Sequence, residues 1–402
     1  MPQDFDRPTP TFHLRSRFIR GAIASAGILL ALAGCGGGKD ELPPASSTTV
    51  PVQAANIKVD TFVQAELTRQ RIPGLALVVI KDGKVAYTKG YGYANLDQAL
   101  PATTEQRFQI GSISKQFTAV AVLLLVQDGK MALDDKISKY LSDTPPEWQA
   151  ITVRQLLAHT SGLPRDPDDA LFPNADSHGH YSVDQLLAIA RTIKPVTPPG
   201  QVYAYSNVGY QLMGLIIEKV SGVFYGKLIQ DRIFTPLGMT TARPINFADS
   251  STSATGYSIE NNFLRPVQSS KISPGMQSLY QSGAGGIEMS ATDLAKWDAS
   301  LDTDKILTKA SRDLMWAPSA LVQKADTYTI NYGLGWFLSD FNAHPKVYHG
   351  GSMYAFRSDY LRYTTDKLSV IVLTNLGEGH SNPETISRTI SEMFVPGTWP
   401  PK

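Results

Sequence analysis

The β-forming runs of this chain lie at its two ends, so a sheet built from them has to take in everything between. Near the start, residues 75–80 and 84–88 are rich in branched and aromatic side chains. They are separated by Asp82-Gly83, a dipeptide suited to the positive φ angles of a type I′ hairpin turn. Near the end, residues 356–363 and 368–374 flank Thr365-Asp366, and a short helix is expected at 383–393. Apolar spacing predicts a helix at 57–71, stopping before Pro73-Gly74, and further helices at 115–127, 152–159, 183–191, 208–220 and 226–234. There is no internal repeat. The expected fold is α+β: a central, mainly antiparallel sheet from both chain ends, flanked by helices, with a helix-rich region inserted at about 112–280, not alternating βαβ units.

The segment ahead of the first helix has a different character. Arg15, Arg17 and Arg20 precede an apolar run at 21–32 that is too short to span a bilayer as a mature helix, and small residues follow. Residues 1–34 therefore read as an export signal. The run ends in Leu32-Ala33-Gly34-Cys35, which resembles the bacterial lipobox, in which cleavage leaves the cysteine at the new N-terminus carrying lipid. Cys35 is the only cysteine of 402 residues, so an intrachain disulfide framework and a thiolate metal cluster are both excluded. Residues 35–55 hold three glycines in a row, Pro43-Pro44 and Ser46-Ser47-Thr48-Thr49 without apolar periodicity, the composition of a flexible tether. Such a coil has an r.m.s. reach of roughly 25 Å. The folded domain is expected over 56–402, lipid-anchored in a bacterial cell envelope, on the periplasmic side or at the outer membrane. Basic residues number 37 against 36 acidic, and 33 against 34 once the signal is removed. The membrane is thus held by lipid and not by charge, and no nucleic acid is expected as a partner.

Chemistry begins at Gly111-Ser112-Ile113-Ser114-Lys115, at the head of an apolar helix. The i to i+3 spacing puts Ser112 and Lys115 on one face. A serine hydroxyl is a weak nucleophile until a neighbour takes its proton, and burial makes a lysine able to do so by penalising its charged form. Backbone N–H groups at a helix start also point at developing negative charge, which makes the Ser112 amide half of an oxyanion hole. In isolation Ser-x-x-Lys is a capping serine with a solvated lysine one turn on. Company changes that: Tyr205-Ser206-Asn207 follows Pro198-Pro199-Gly200 and precedes a helix, and His349-Gly350-Gly351-Ser352 precedes the last hairpin, its glycines allowing close backbone approach to a ligand.

These three segments resemble the active-site set of the serine β-lactamase and penicillin-binding superfamily, Ser-x-x-Lys, Tyr-x-Asn and Lys/His-x-Gly. The residues at 156–164 (Leu-Leu-Ala-His-Thr-Ser-Gly-Leu-Pro), Pro236-Leu237-Gly238-Met239, Gly285-Gly286-Ile287 and Tyr332-Gly333-Leu334-Gly335-Trp336 resemble its class C branch. The resemblance runs over about 56–394. It implies that Ser112 is acylated, that Lys115 and Tyr205 share the proton transfers with the general base left open between them, and that Asn207 bonds a substrate amide or carbonyl. It further implies that the Ser112 and Ser352 amides hold the oxyanion, and that His349, Gly351 and Ser352 line the substrate. No cofactor or metal is implied.

One position departs from the superfamily's commoner pattern. Where β-lactamases carry lysine, this chain has His349, mostly uncharged near neutral pH. Family esterases and D-amino-acid peptidases use histidine there, which turns the expectation toward esters, small amides and D-amino-acid peptides. The alternatives are a class C-like β-lactamase or DD-carboxypeptidase and, in another class, a non-catalytic binding or scaffolding protein of the same fold. Ala355 stands where the family has glycine, a change that narrows the cleft. His159 reads as part of a structural turn. His178-Gly179-His180 lacks the further ligand a metal would need, and His344 and His380 sit in loops without a signal.

Overall fold

Asp82 and Gly83 both adopt positive φ, 51° and 73°, and so close the first hairpin between β1 (Gly74–Lys81) and β2 (Lys84–Asn95). The computed structural model describes residues 49–168, 182–245, 253–267, 283–377 and 379–398. Seven of the eight residues of β1 are buried, the signature of a strand covered on both faces. Its side chains divide by alternation: Ala76, Val78 and Ile80 join one core, Leu75, Leu77 and Val79 the other.

The sheet continues through β3 (Leu100–Pro101), β4 (Ala320–Lys324), β5 (Thr329–Tyr332), β6 (Phe337–Ser339), β7 (Lys346–Met353), β8 (Phe356–Tyr363) and β9 (Leu368–Thr374). Its nine strands run in the order β3-β2-β1-β9-β8-β7-β6-β5-β4, and every pairing is antiparallel. The first and last hairpins meet at the centre, where Leu75 faces Thr374 and Lys81 faces Leu368. The sheet drawn from both chain ends is therefore as expected. Strands β4 to β6 fall where no strand was anticipated; they are short, and β4 has no buried residue from which a period could be read.

Among the described residues the α-helices of five or more residues are α1 (Thr49–Gln70), α2 (Ser114–Gln127), α3 (Val153–Leu157), α4 (Val183–Ala190), α5 (Asn207–Ser221), α6 (Tyr225–Ile229), α7 (Ala291–Ser300), α8 (Lys309–Met315) and α9 (Pro383–Phe394). On one face of the sheet α1 and α9 supply Val59, Val63, Ile386 and Ile390 to the core that holds Leu77, Val79, Val370 and Val372. On the other lies the helix-rich region. Its centre is α2, buried from Ser114 through Leu125, which explains its unbroken apolar run. α1 starts at Thr49, within the stretch expected to be tether; Pro51 sits in its first turn, where a missing N–H leaves no helical bond unmade. Cys35, the expected signal and His178-Gly179-His180 lie outside the described residues.

Candidate active site

A 3₁₀ turn, Gly111–Ile113, leads straight into α2 and carries Ser112 at its centre. Gly111 has φ +54° and lies so close to β7 that a Cβ there would come within 2.8 Å of the Ser352 amide nitrogen. From the other side, a Cβ on Gly351 would meet the Ile110 carbonyl oxygen at 2.0 Å. Two backbones thus pack directly on each other, and a side chain at either glycine would push the Ser112 turn away from the strand. The glycines of β7 were expected to make room for a ligand; at Gly351 the room is taken by the chain itself. The Ser358 hydroxyl donates to the same Ile110 carbonyl at 2.8 Å and fixes the turn further.

Lys115 is fully buried one turn along, its Nζ 3.0 Å from Ser112 Oγ, 2.8 Å from Asn207 Oδ1 and 2.5 Å from the Ala284 carbonyl oxygen. All three acceptors are uncharged. Burial pushes the Lys115 pKa well below the usual lysine value; the Arg165 charge adds to this and Asp166 opposes it. Asn207 reaches Lys115 because the capping of α5 falls to its neighbour: the Ser206 hydroxyl accepts the Gly209 N–H at 2.9 Å, and Asn207 is the first helical residue. Its Nδ2 donates to Asp166 at 2.6 Å. Tyr205, half-buried, stands beside both reacting groups. Lys115 Nζ lies 5.0 Å from its ring centroid. Burial holds the phenol above its ordinary pKa, against the opposing pull of Ser112 and of Arg165.

His349 is 2% exposed, and both ring nitrogens are engaged by the protein. The Gly350 carbonyl lies 2.7 Å from Nδ1, and since a carbonyl only accepts, Nδ1 carries the proton; Nε2 then accepts from the Tyr332 hydroxyl at 3.0 Å. Burial, with Lys115 nearby, lowers its pKa to about 3, so the ring is neutral. His159 is buried in the same aromatic cluster, 4.1 Å from the Tyr205 ring.

The site opens into a cleft of about 770 Å³ lined by Ser112, Asn207 and Ser352, and also by Arg165, Asp166 and His380. The last three were not singled out from sequence, and His380 had been passed over. The Arg165 guanidinium lies over the Tyr205 ring at 5.1 Å and pairs with Asp166 at 3.4 Å. The Asn207 N–H donates to the Arg165 carbonyl at 2.6 Å, tying this pair to the start of α5. Adjacency to the 156–164 segment was the only available cue. Ala355 turns out to pack on Gly256, where an added Cβ would meet its methyl at 2.5 Å.

Residues 59–391 match the family model described as Beta-lactamase. Penicillin-binding protein 4* of Bacillus subtilis (strain 168) is 31% identical over 330 residues, covering 79% of this chain and 71% of that protein. Protein flp of Staphylococcus aureus (strain MW2) is 29% identical over 329 residues, and here the alignment spans 79% of this chain but only 63% of the relative, less than two thirds of its length. Among solved structures, the octameric penicillin-binding protein homologue from Pyrococcus abyssi superposes with a TM-score of 0.74 at 29% identity, over 84% of this chain and 77% of that one. EstCE1, a hydrolase with promiscuous acyltransferase activity, matches at TM-score 0.72 over 86% of this chain and all of its own; at 21% identity the likeness is one of fold.

Proposed function

The chain belongs to the beta-lactamase family, with the mixed α+β fold of its penicillin-binding-like members, and we propose that it is a serine hydrolase working through an acyl-enzyme on Ser112, acting on esters or small amides, D-amino-acid peptides included. The observation that carries this reading is the buried Lys115 amine 3.0 Å from Ser112 Oγ among uncharged acceptors. A neutral amine has two N–H groups and one lone pair. With the N–H groups given to Asn207 Oδ1 and the Ala284 carbonyl, the lone pair is left for the Ser112 proton. Tyr205, kept protonated by burial, is suited to pass a proton to the leaving group. The Ser112 and Ser352 amides would stabilise the oxyanion.

The neutral, fully engaged His349 supports esters and small amides over carboxylate-bearing β-lactams, because it offers the cleft no fixed positive charge. The 31% identical Bacillus protein, named as penicillin-binding, keeps a class C-like β-lactamase or DD-carboxypeptidase as the second reading. Ser112→Ala should abolish labelling by a fluorophosphonate and lower turnover of a p-nitrophenyl ester by several orders of magnitude while leaving a folded protein. Stoichiometric labelling of that variant would sink the assignment, and a wild type that cleaves nitrocefin as efficiently as its best ester would favour the second reading. For localisation we propose a bacterial envelope lipoprotein held through Cys35. Mass spectrometry of membrane-extracted protein should find a lipidated N-terminal Cys35, and an unmodified N-terminus elsewhere would refute it.

A further inference from the structure

We propose that His159 is a positioning residue for Tyr205, an inference that rests on the reading of Tyr205 as a proton-transfer partner of Ser112. The two backbone amides that flank the positions either side of Tyr205 both end on this one histidine. The Ala204 N–H donates to the His159 carbonyl at 2.8 Å, and the Ser206 N–H donates to its Nδ1 at 3.0 Å. Tyr205 is thereby held from both sides by a single residue. The two rings lie 4.1 Å apart, centroid to centroid, with their planes 32° from parallel, so the imidazole also limits how the phenol can tilt.

The protonation state follows from the same bond. A backbone N–H only donates, so Nδ1 is an acceptor and the ring is the neutral Nε2–H tautomer. The surroundings enforce it. His159 is fully buried; Lys115, His349 and Arg165 are the ionisable bases that act on it, and the rings of Tyr203, Tyr205, Tyr210 and Tyr332 pack around it. Among the described residues its Nε2 has no hydrogen-bond partner. A buried polar atom without a partner is a cost, and a turn needing shape alone would avoid it.

The backbone sharpens the point. His159 has φ +57°, the left-handed region, which favours glycine and, among side chains, asparagine. Asparagine would be the easier residue at this turn, and its Oδ1 lies about where Nδ1 of histidine does. What histidine adds is the ring against Tyr205. The clamp also extends beyond the phenol, because Ser206 caps α5 with its hydroxyl, which in turn donates to the Pro164 carbonyl at 2.7 Å. His159 therefore locks Tyr205 in register with Asn207, the next functional side chain.

The test uses the full-length enzyme and a p-nitrophenyl ester, with kcat and KM measured for His159→Asn and His159→Leu, each alone and combined with Tyr205→Phe. His159→Leu removes the acceptor and should lower kcat about 100-fold with KM within about 3-fold, the expected cost of misplacing a reacting group by an ångström. His159→Asn restores the acceptor and should recover kcat to within about 5-fold of wild type. In the Tyr205→Phe background the leucine substitution should change kcat less than about 3-fold, since the residue it positions has lost its hydroxyl. Should His159→Leu not fold, His159→Gln, whose acceptor lies one bond further out, takes its place with the same expected values. Wild-type kcat in the leucine or glutamine variant overturns the proposal, as does an equal loss in both Tyr205 backgrounds or a folded asparagine variant as slow as leucine. A wild type that neither labels with fluorophosphonate nor cleaves any ester overturns the hydrolase reading, and this inference with it.

Discussion

Strand β7 buries a base on each of its faces, Lys346 toward α9 and His349 among the rings of Tyr205, Tyr332 and Phe337, and the two keep different company. Behind the sheet, burial against Arg388 brings Lys346 down to about 8, while Asp359 and Glu384 pull it back up. Asp359 is itself raised to about 7 by burial and by Glu384, and it accepts the Ser387 hydroxyl from α9. In front of the sheet, Lys115, His159 and His349 are all depressed by burial, and Lys115 has only uncharged acceptors. Behind the sheet, burial pushes Asp359 and Lys346 toward their neutral forms and the neighbouring opposite charges limit the shift; in front, a base buried without a carboxylate acceptor gives up its proton and becomes able to accept another. The two faces of the sheet thus differ in whether a buried carboxylate stands among their buried bases.

That contrast predicts where each substitution will be felt. The largest effect should come from Lys115→Met, which removes the amine but keeps a side chain of similar length. Ester kcat/KM should fall about 10³-fold, while the thermal midpoint should fall only slightly, because the buried amine's hydrogen bonds to Asn207 and Ala284 are exchanged for apolar contacts. A large fall in midpoint with turnover retained would break the comparison. Asp359→Ala should do the reverse, costing about 3 kcal/mol in urea unfolding by leaving Lys346 and Arg388 short of a partner. Its kcat per folded molecule should stay within about 2-fold of wild type.

The smallest effect is a pair of opposing slopes with pH. His349 titrates at about 3 in the fold and near 6.5 when unfolded, so between those values the unfolded chain holds a proton that the fold does not. Its stability contribution is full above 6.5 and is lost as pH falls toward 3. Asp359 titrates at about 7 in the fold and near 3.8 unfolded; here the fold holds the extra proton, and the contribution is full below 3.8 and lost as pH rises through 7. Urea midpoints from pH 4 to 8 should show His349→Gln flattening the loss on the acid side and Asp359→Asn flattening the fall in stability as pH rises toward and through 7. Identical slopes in the two variants would mean that the faces do not differ as described.

What was legible in the sequence divides along the distance over which each feature is determined. The first hairpin is set by Asp82-Gly83 alone, and the spacing of Ser112 and Lys115 by one helical turn, so both could be read locally. The boundary between Ser206 as cap and Asn207 as ligand of Lys115 depends on which side chain turns back to Gly209, a choice made in three dimensions. Arg165, Asp166 and His380 reach the cleft only because separate loops converge there. His349 was legible as a departure from lysine, but not as a ring with both nitrogens already taken, since Tyr332 comes from another strand. The strands β4 to β6 were hidden for the reason edge strands often are: partial exposure removes the alternation that marks them.

The meeting of the first and last hairpins at the middle of the sheet sets an order for biosynthesis. Gly74 and Asn375, which hydrogen-bond at the end of the β1–β9 pairing, are 301 residues apart, an interval of roughly 15–60 s on the ribosome. Through that time β1, apolar on both faces, has β2 on one side and an unpaired edge on the other. Ser112 and Lys115 emerge early, yet the strand that braces their turn comes near the end of the chain. A nascent or truncated polypeptide that stops before β7 and the last hairpin thus carries Ser112 and Lys115 without the strand against which their turn packs, and that geometry is complete only once residues 346–374 have been made.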